Sequence, residues 1–174
     1  IGKALLECFL HEGANVLCCV RKKDFEFELF LNRIALRPTQ FCRVLEFDLT
    51  DDISVKEVTR DLIKQKLVLD ILINNAGRAD GSIFEMTSAK RLKEVFEINF
   101  FSQINLTQRL LRLLKRSQSG RIVNIGSISG VSGDKGTLSY GCSKSALMFA
   151  TKVLANELSR YDITVNAVAP GVTS

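Results

Sequence analysis

The sequence predicts an α/β fold in which a mostly parallel, doubly wound sheet is covered by helices on both faces. Short apolar segments alternate regularly with longer segments of helical periodicity, and right-handed crossovers between such strands build parallel sheets. Two of the strands also end in small polar residues, which is typical of the ligand-binding edge of such sheets. The predicted elements are a helix from about Gly2, strand 15–20, helix 25–36, strand 42–47, helix 51–66, strand 70–73, helix 88–117, strand 121–126, helix 139–160 and strand 163–168.

The composition fits one globular domain that spans residues 1–174. With 46% hydrophobic residues, the 174-residue chain has enough apolar material for a sizeable core. It contains no run of about 18 apolar residues and no signal-peptide pattern, so neither a membrane span nor secretion is indicated. The five cysteines include no Cys-x-x-Cys pair, so we expect reduced thiols that serve as small core residues in a cytoplasmic protein.

The charge and the histidine content argue against several functional classes. The net charge is +5, but the basic residues are scattered without interleaved aromatic residues, so no nucleic-acid partner is expected. The densest basic cluster lies in the last predicted turns of a helix, where cations offset the helix dipole. His11 is the only histidine, which argues against a metal site and against a Ser-His-Asp hydrolase.

Tyr140 and Lys144 are candidates for acid-base chemistry. They lie four residues apart at the opening of a predicted helix, which places both side chains on one face. A cation beside a phenol favours the phenolate, so the pair could transfer a proton to or from an alcohol or carbonyl oxygen. Helix surfaces also produce Tyr-x-x-x-Lys pairs by chance, and the alternative interpretation is a solvated tyrosine and lysine.

Further candidates come from strand ends and from a buried helix face. Ser127 follows strand 121–126, and the polar segment 74–77 follows strand 70–73, so both belong at the carboxyl edge of the sheet. Asn99 is an amide within the apolar stripe of helix 88–117, and a buried amide costs free energy unless it is hydrogen-bonded. Asn99 could therefore serve a site or cap an internal backbone group. The glycine-rich segment after Ser127 lacks the Gly-Lys-Ser/Thr ending of a P-loop, so a nucleotide P-loop is not indicated. We expect this segment to form a mobile loop instead.

Together these residues resemble the short-chain dehydrogenase/reductase family over the whole chain. The matching motifs, in the family's order, are Asn74-Asn75-Ala76-Gly77, Asn99, Ser127, Tyr140-x-x-x-Lys144 and Pro170-Gly171. Segments 120–127 and 163–171 look most like the 3-oxoacyl-[acyl-carrier-protein] reductases within the family. The resemblance implies a Rossmann-type doubly wound sheet and an oxidoreductase that reduces a ketone to a secondary alcohol with NADPH.

The resemblance also implies a role for each matching residue. Tyr140 would donate a proton to the substrate oxygen, and Ser127 would hydrogen-bond the same oxygen. Lys144 would favour the phenolate of Tyr140 and bind the nicotinamide ribose, while Asn99 would hold a water that links Lys144 to solvent. Beyond Tyr140 and Lys144, the implied cofactor contacts are Ile1, Gly2, Arg21, Asp48, Leu49, Asn75, Ala76, Gly77, Pro170, Gly171 and Val172.

Arg21 bears on the choice between NADP and NAD. An acidic residue after strand 15–20 would accept from the 2′-hydroxyl of the adenosine ribose, but this chain has Val20 followed by Arg21. The sequence therefore predicts NADP rather than NAD, with a solvated basic turn as the alternative. The expected substrate is a 3-oxoacyl thioester of fatty acid biosynthesis. The alternatives are a sugar or other secondary alcohol, or a non-catalytic relative that acts as a subunit.

Compared with the family pattern, we expect the sequence to be truncated at both ends. Ile1-Gly2 matches only the end of the glycine-rich turn after the family's first strand, and Ser174 precedes the family's substrate-covering segment. In the doubly wound order 3-2-1-4-5-6, the first strand lies between strands 2 and 4, so we expect two separate pieces of sheet. We accordingly expect activity from a longer parent rather than from these 174 residues alone.

The sequence also predicts a homodimer or homotetramer built on helices 88–117 and 139–160. Both helices carry apolar or small residues beyond a single core stripe, and such a surplus on neighbouring helices suggests a subunit interface. These residues are Phe100, Phe101, Leu111, Leu114, Ala146, Ala150 and Ala155.

Overall fold

A computed structural model describes residues 1–34 and 36–172 and contains the predicted alternation of helices and strands. Ala35, near the end of the predicted helix 25–36, and Thr173 and Ser174, after Pro170-Gly171, lie outside the described residues. The helices are α1 (Gly2–His11), α2 (Phe25–Asn32), α3 (Asp52–Lys64), α4 (Ala89–Phe96), α5 (Ser102–Leu114), α6 (Ser129–Ser132) and α7 (Leu138–Leu158). The strands are β1 (Val16–Val20), β2 (Cys42–Glu46), β3 (Ile71–Asn74), β4 (Arg121–Ile125) and β5 (Thr164–Val168). Short 3-10 turns occur at Phe84–Met86 and Ser159–Tyr161, and a π turn occurs at Glu97–Phe101.

The chain divides into two compact units, Ile1–Val58 and Thr59–Ser174. The first unit contains a two-stranded parallel sheet, in which β1 pairs with β2 from Val16 opposite Cys42 to Val20 opposite Glu46. Its core forms where α1 meets α2 and the sheet, and a cluster of buried Leu6, Leu10 and Phe27 lies there with partly buried residues around it.

Helix α2 is shorter than the sequence predicts. It begins after Asp24, whose carboxylate accepts a hydrogen bond from the Phe27 amide at 2.8 Å and so caps the first turn. It ends at Asn32 rather than at residue 36. The Arg33 and Ile34 amides donate to carbonyls three residues earlier, Phe30 at 3.2 Å and Leu31 at 3.1 Å, so the chain leaves α-helical geometry in a tightened last turn.

The second unit contains a three-stranded parallel sheet in the order β3-β4-β5. Helix α5 contacts β3, while α7 contacts β4 and β5. The fully or nearly fully buried core residues of this unit include Leu106, Leu110, Leu113, Leu114, Ile122, Leu147, Ile163 and Val165. Within residues 1–34 and 36–172, no helix combines the length and the hydropathy that crossing a membrane requires.

The strand neighbours agree with the predicted doubly wound order. The pair β1-β2 and the trio β3-β4-β5 correspond to strands 2-3 and 4-5-6 of that order, and the described strands form two separate sheets, as expected. The α/β class and the parallel sheets predicted from the alternating pattern are therefore confirmed.

The predicted continuous helix 88–117 is wrong. Helix α4 begins after Ser88, whose hydroxyl accepts from the Arg91 amide at 3.2 Å, and the π turn Glu97–Phe101 separates it from α5. Apolar periodicity cannot show this interruption, because the buried positions Val95, Asn99 and Gln103 keep a four-residue spacing through the turn. Such π turns are frequent at functional sites.

Two smaller expectations also need correction. Leu114 was predicted to lie at a subunit interface, but it is fully buried in the core of its own unit. The cysteines are not general core residues, since Cys8, Cys19 and Cys142 are exposed while Cys18 and Cys42 are half-buried, and all five are free thiols. Burial raises the pKa of Cys18 to about 11, so that thiol is protonated at neutral pH.

Candidate active site

The carboxyl ends of β3, β4 and β5 bring three predicted segments to one edge of the sheet. Segment 75–77 follows β3, Ser127 follows β4, and Pro170-Gly171 follow β5. Two backbone hydrogen bonds connect the last two segments: the Gly126 amide donates to the Val168 carbonyl at 2.7 Å, and the Ile128 amide donates to the Pro170 carbonyl at 3.0 Å. The residues on both sides of Ser127 are therefore hydrogen-bonded to the end of β5 and the segment that follows it.

Ser127 is 7% exposed, and its hydroxyl oxygen accepts a hydrogen bond from the Ser129 amide at 3.2 Å. That bond opens the four-residue helix α6, so the segment predicted as a mobile loop contains a helical turn. Gly130 allows α6 to approach α7 closely, because a Cβ atom there would lie 2.9 Å from the Ser145 amide nitrogen. The glycine in this segment therefore serves helix packing.

Tyr140 and Lys144 lie in the first two turns of α7, one turn apart. Lys144 is 3% exposed, and its Nζ donates a hydrogen bond to the carbonyl oxygen of Ile125 at 2.7 Å. Ile125 is the last residue of β4, so the ammonium lies at the carboxyl edge of the sheet. Burial lowers the pKa of Lys144 from its usual value, because a buried ammonium loses its hydration. Tyr140 is half-buried.

Asn99 lies in the π turn with no exposed surface, and its side-chain amide pairs with the backbone of Arg78. Its Oδ1 accepts from the Arg78 amide at 2.7 Å, while its Nδ2 donates to the Arg78 carbonyl at 3.1 Å. The same Nδ2 lies 3.0 Å from Ser143 Oγ, and that hydroxyl lies 2.7 Å from the Tyr140 carbonyl. The structure thus realises the second sequence alternative, an amide that caps an internal backbone group, and its water-holding role stays a prediction.

Gly77 lies between two of the predicted catalytic side chains. A Cβ atom at this position would lie 3.2 Å from Asn99 Oδ1 and 3.3 Å from Lys144 Nζ, which is tighter than ordinary contact. The absent side chain allows the loop after β3 to approach both residues. Asn99, Gly77 and Lys144 are therefore brought together by the π turn, the loop and α7.

The other residues of the predicted cofactor segments differ in exposure. Asn75 is half-buried, while Ala76 and Gly77 are exposed. The Ala76 carbonyl accepts a hydrogen bond from the buried Gln103 side chain, which connects the loop after β3 to helix α5. Pro170 is half-buried, and both Gly171 and Val172 are exposed.

Five predicted cofactor residues belong to the first unit. Ile1, Gly2, Arg21 and Asp48 are exposed, and Leu49 is half-buried. The Asp48 carboxylate accepts from the Thr50 amide at 2.9 Å and from the Thr50 hydroxyl at 2.8 Å. These hydrogen bonds, together with attraction to Arg21, lower the pKa of Asp48.

The sequence interpretation missed a buried polar network in the interior of the second unit. Asn74 Nδ2 donates to Asn124 Oδ1 at 2.8 Å and to Thr107 Oγ1 at 2.9 Å, and Asn124 Nδ2 donates to Thr151 Oγ1 at 2.8 Å. The network joins α5, β3, β4 and α7. A signal for it exists in the sequence, because Ser139, Ser143, Leu147 and Thr151 repeat at four-residue spacing along one buried face of α7.

A Rossmann-type sheet with Ser127, Tyr140, Lys144 and Asn99 gathered on one unit defines a candidate oxidoreductase domain. The family profile described as short chain dehydrogenase matches residues 1–174. The chain belongs to the short-chain dehydrogenase family.

Curated relatives of the chain are named as reductases. A rhamnolipid-biosynthesis 3-oxoacyl-[acyl-carrier-protein] reductase of Pseudomonas aeruginosa is 32% identical over 98% of this chain and 68% of the relative. A 3-oxoacyl-[acyl-carrier-protein] reductase of Buchnera aphidicola is 38% identical over 71% of this chain and 51% of the relative. The chain therefore spans between half and about two thirds of the length of these relatives.

Solved structures with the same fold cover nearly the whole chain. A short-chain dehydrogenase from Streptomyces avermitilis superposes with a TM-score of 0.88 at 29% identity, covering 99% of this chain and 62% of that one. The RhlG/NADP active-site complex of Pseudomonas aeruginosa superposes with a TM-score of 0.87 at 31% identity. The match covers 99% of this chain and 68% of that one.

Proposed function

We propose that this protein reduces a ketone to a secondary alcohol with NADPH, and that Tyr140 supplies the proton. The observation that supports the proposal most directly is the buried Lys144 ammonium, which donates to the Ile125 carbonyl at the end of β4. Burying a lysine that is 3% exposed costs free energy, because its ammonium loses hydration. In return, the ammonium provides a positive charge next to the ligand-binding edge of the sheet. Structural lysines are rarely buried without a carboxylate partner.

The residues at this edge fit a nicotinamide dinucleotide. Ala76 and Gly77 are exposed, and at Gly77 no side chain separates a ligand from Lys144. Lys144, Tyr140 and the segment from Pro170 to Val172 would hold the nicotinamide half of the cofactor. Within the first unit, taken by itself, Arg21, Asp48 and Leu49 would contact an adenosine ribose and its base. The bound cofactor supplies a hydride, and all other steps belong to the protein's own side chains.

The catalytic roles follow from the chemistry of these side chains. The Tyr140 hydroxyl donates its proton to the carbonyl oxygen, so that no full alkoxide charge accumulates. The Ser127 hydroxyl donates a hydrogen bond to the same oxygen and stabilises the developing negative charge. The Lys144 ammonium favours the negative charge that Tyr140 carries after it has given up its proton. Asn99 holds the loop at Gly77 and Arg78 in contact with the site, through the hydrogen bonds described above.

The substrate proposed first is a 3-oxoacyl thioester on acyl carrier protein, as in fatty acid biosynthesis, with a cytoplasmic place of action. Its support is the name of the Pseudomonas aeruginosa relative, which is 32% identical over 98% of this chain. A secondary-alcohol dehydrogenase that uses NAD is the second candidate. It is favoured by a 4-hydroxyisoleucine dehydrogenase complexed with NADH and succinate, which superposes with a TM-score of 0.84 at 29% identity.

The proposal is tested by following NADPH oxidation in the whole protein with a 3-oxoacyl thioester, a simple ketone and an oxidised sugar as substrates. The 3-oxoacyl thioester should give the highest kcat/KM, and Tyr140→Phe should lower kcat by about 10² to 10⁴. NADPH affinity should change by less than a few-fold, because the aromatic ring remains. A Tyr140→Phe protein that keeps more than about a tenth of the parent rate would remove Tyr140 from the mechanism.

A further inference from the structure

The loop after Gly77 contains a buried carboxylate that the reaction scheme does not use. Asp80 has a side chain that is 2% exposed, between α4 and the first turn of α7. One carboxylate oxygen accepts a hydrogen bond from Ser139 Oγ, and the other accepts one from Arg91 Nε. Asp80 is therefore bonded at the same time to α4 and to the residue that precedes Tyr140.

The carboxylate of Asp80 is ionised at neutral pH. The hydrogen bond from Ser139, followed by the hydrogen bond and charge of Arg91, lowers the pKa of Asp80 below its usual value. A buried carboxylate with a charged partner and a second hydrogen bond is stable where it lies, but removing one partner leaves the charge uncompensated. The Asp80 contacts are therefore costly to break.

A second contact of the same kind lies one turn further along α7. Ser139 and Ser143 are both buried, at 2% and 0% exposure, and they face the loop and the π turn. Ser139 donates to Asp80, and Ser143 lies within hydrogen-bonding distance of Asn99. Tyr140 stands between these two serines in sequence, and Ser143 Oγ also donates to the Tyr140 carbonyl at 2.7 Å.

The loop itself is held along its length by hydrogen bonds. Ala76 is bonded by Gln103, Arg78 by Asn99, Asp80 by Arg91 and Ser139, and the Ser82 amide donates to the Gly136 carbonyl at 2.9 Å. The loop that would line the cofactor and the turn that presents Tyr140 therefore share one connected set of polar contacts. Asp80 is its only buried carboxylate among residues 1–34 and 36–172.

We infer that Asp80 is a positioning residue: by bonding Ser139 it fixes the first turn of α7, and with it the Tyr140 side chain, relative to the cofactor-lining loop 75–77. The inference rests on the proposed function for its catalytic consequence. Displacements of about 1 Å in a reacting group can cost on the order of 10² in rate, so a loosened Tyr140 should affect the chemical step more than binding.

The main test uses Ser139→Ala, which removes one hydrogen bond and leaves the Asp80-Arg91 pair in place. Thr151→Val is the matched control, because it removes a buried hydroxyl from the same face of α7, three turns away, where the partner is Asn124. Both variants should lose stability. Only Ser139→Ala should lower kcat, by at least about tenfold per folded molecule, with the KM for NADPH within about twofold of the parent.

A kinetic isotope effect separates positioning from general loss of stability. With NADPH deuterated at the transferred hydrogen, Ser139→Ala should show a larger isotope effect on kcat than the parent, because the chemical step becomes slower. Asp80→Asn should also lower kcat. The kcat of the Asp80→Asn/Ser139→Ala double variant should be no lower than that of the slower single variant, because both substitutions act through one contact. An unchanged kcat in Ser139→Ala, or an equal loss in Thr151→Val, contradicts the inference.

Hydrogen exchange tests the same contact without any turnover. In the whole protein without substrate, amides of residues 138–144 should exchange at least about tenfold faster in Ser139→Ala than in the parent, and Thr151→Val should leave them unchanged. If the parent reduces none of the ketones, the proposed function fails, and this exchange result still decides whether Asp80 fixes the turn. Equal protection in the parent and in Ser139→Ala would overturn the inference.

Discussion

The side chain of Asn99 forms two hydrogen bonds with the backbone of Arg78, accepting from its amide at 2.7 Å and donating to its carbonyl at 3.1 Å. This is the pairing that a neighbouring strand would make, supplied here by one amide in a π turn. It holds the loop after β3 at the residue that follows Gly77. The position of the loop that is predicted to line the cofactor therefore depends on a side chain that the proposed reaction uses only indirectly.

Gly77→Ala should disturb both Asn99 and Lys144. The added Cβ would lie 3.2 Å from Asn99 Oδ1 and 3.3 Å from Lys144 Nζ, so each must move by a few tenths of an ångström. Overpacking of this kind costs about 1–3 kcal/mol, and we expect a matching fall in the free energy of unfolding together with weaker NADPH binding. Urea unfolding and fluorescence titration measure the two effects.

Gly81→Ala is the matched control for Gly77→Ala. A Cβ at Gly81 meets nothing within 4 Å, and the residue is exposed four positions further along the same loop. Its free energy of unfolding should change by less than about 1 kcal/mol. Equal effects of the two substitutions would mean that loop flexibility, rather than crowding at the site, determines the result.

Lys144 predicts a pH dependence of stability with a definite sign. Because folding lowers the pKa of Lys144 below 10.5, the unfolded chain binds more protons between the two values. The penalty for burying the ammonium is fully present below the folded-state pKa and disappears as the pH rises toward the unfolded-state value. The parent should therefore gain stability relative to Lys144→Met between neutral pH and about pH 10, as measured by urea unfolding. If the free energy of unfolding of the parent instead fell relative to that of Lys144→Met over this range, burial of the ammonium would not be the cause of the lowered pKa.

The parts of the fold that depend on local apolar pattern were predictable from the sequence. Strand and helix alternation and the buried position of Asn99 follow from spacing over a few residues. The neighbours within each sheet follow instead from the strand order of the doubly wound fold. The π turn was not predictable, because a four-residue spacing of buried positions is compatible with a continuous α-helix. Leu114 was misassigned for a similar reason: extra apolar residues on a helix do not show which of them the core covers.

The contacts that shape the site were beyond sequence reasoning because their partners are distant in the chain. Asn99 and Arg78 are 21 residues apart, and Asp80 and Ser139 are 59 residues apart. An aspartate before a glycine in a loop is usually solvated, and nothing in its neighbours indicates burial against two helices. Ser127 was identifiable as a polar residue at a strand end, and Tyr140 and Lys144 by their four-residue spacing on a helix. The supporting residues are ordinary serines, threonines and one aspartate, which no such pattern marks.

Arg21 should determine the preference for NADPH over NADH. It is exposed at the end of β1, close enough to Asp48 to lower the pKa of that carboxyl, and a charged contact to the 2′-phosphate contributes about 1.5–3 kcal/mol. Arg21→Ala should therefore weaken NADPH binding by about one to two decades and leave NADH binding nearly unchanged. Lys22→Ala, the neighbouring exposed cation, is the control and should have a much smaller effect. Calorimetric titration with both cofactors checks this, and a parent that prefers NADH would refute it.

The exposed face of α7 should form a subunit interface in the whole protein. Phe149 is 68% exposed and Val153 is 40% exposed one turn later, while Phe101 in the π turn that contacts α7 is 53% exposed. Large exposed apolar side chains on adjacent elements are typical of oligomer contacts. Phe149→Lys would place a charge in the contact and should convert a homodimer or homotetramer to smaller species in sedimentation velocity at micromolar concentration. Ile53→Lys, on α3 and 70% exposed, is the matched control and should leave the sedimentation coefficient unchanged. A parent that sediments as a monomer, or a Phe149→Lys protein that keeps the parent's assembly, would place the interface elsewhere.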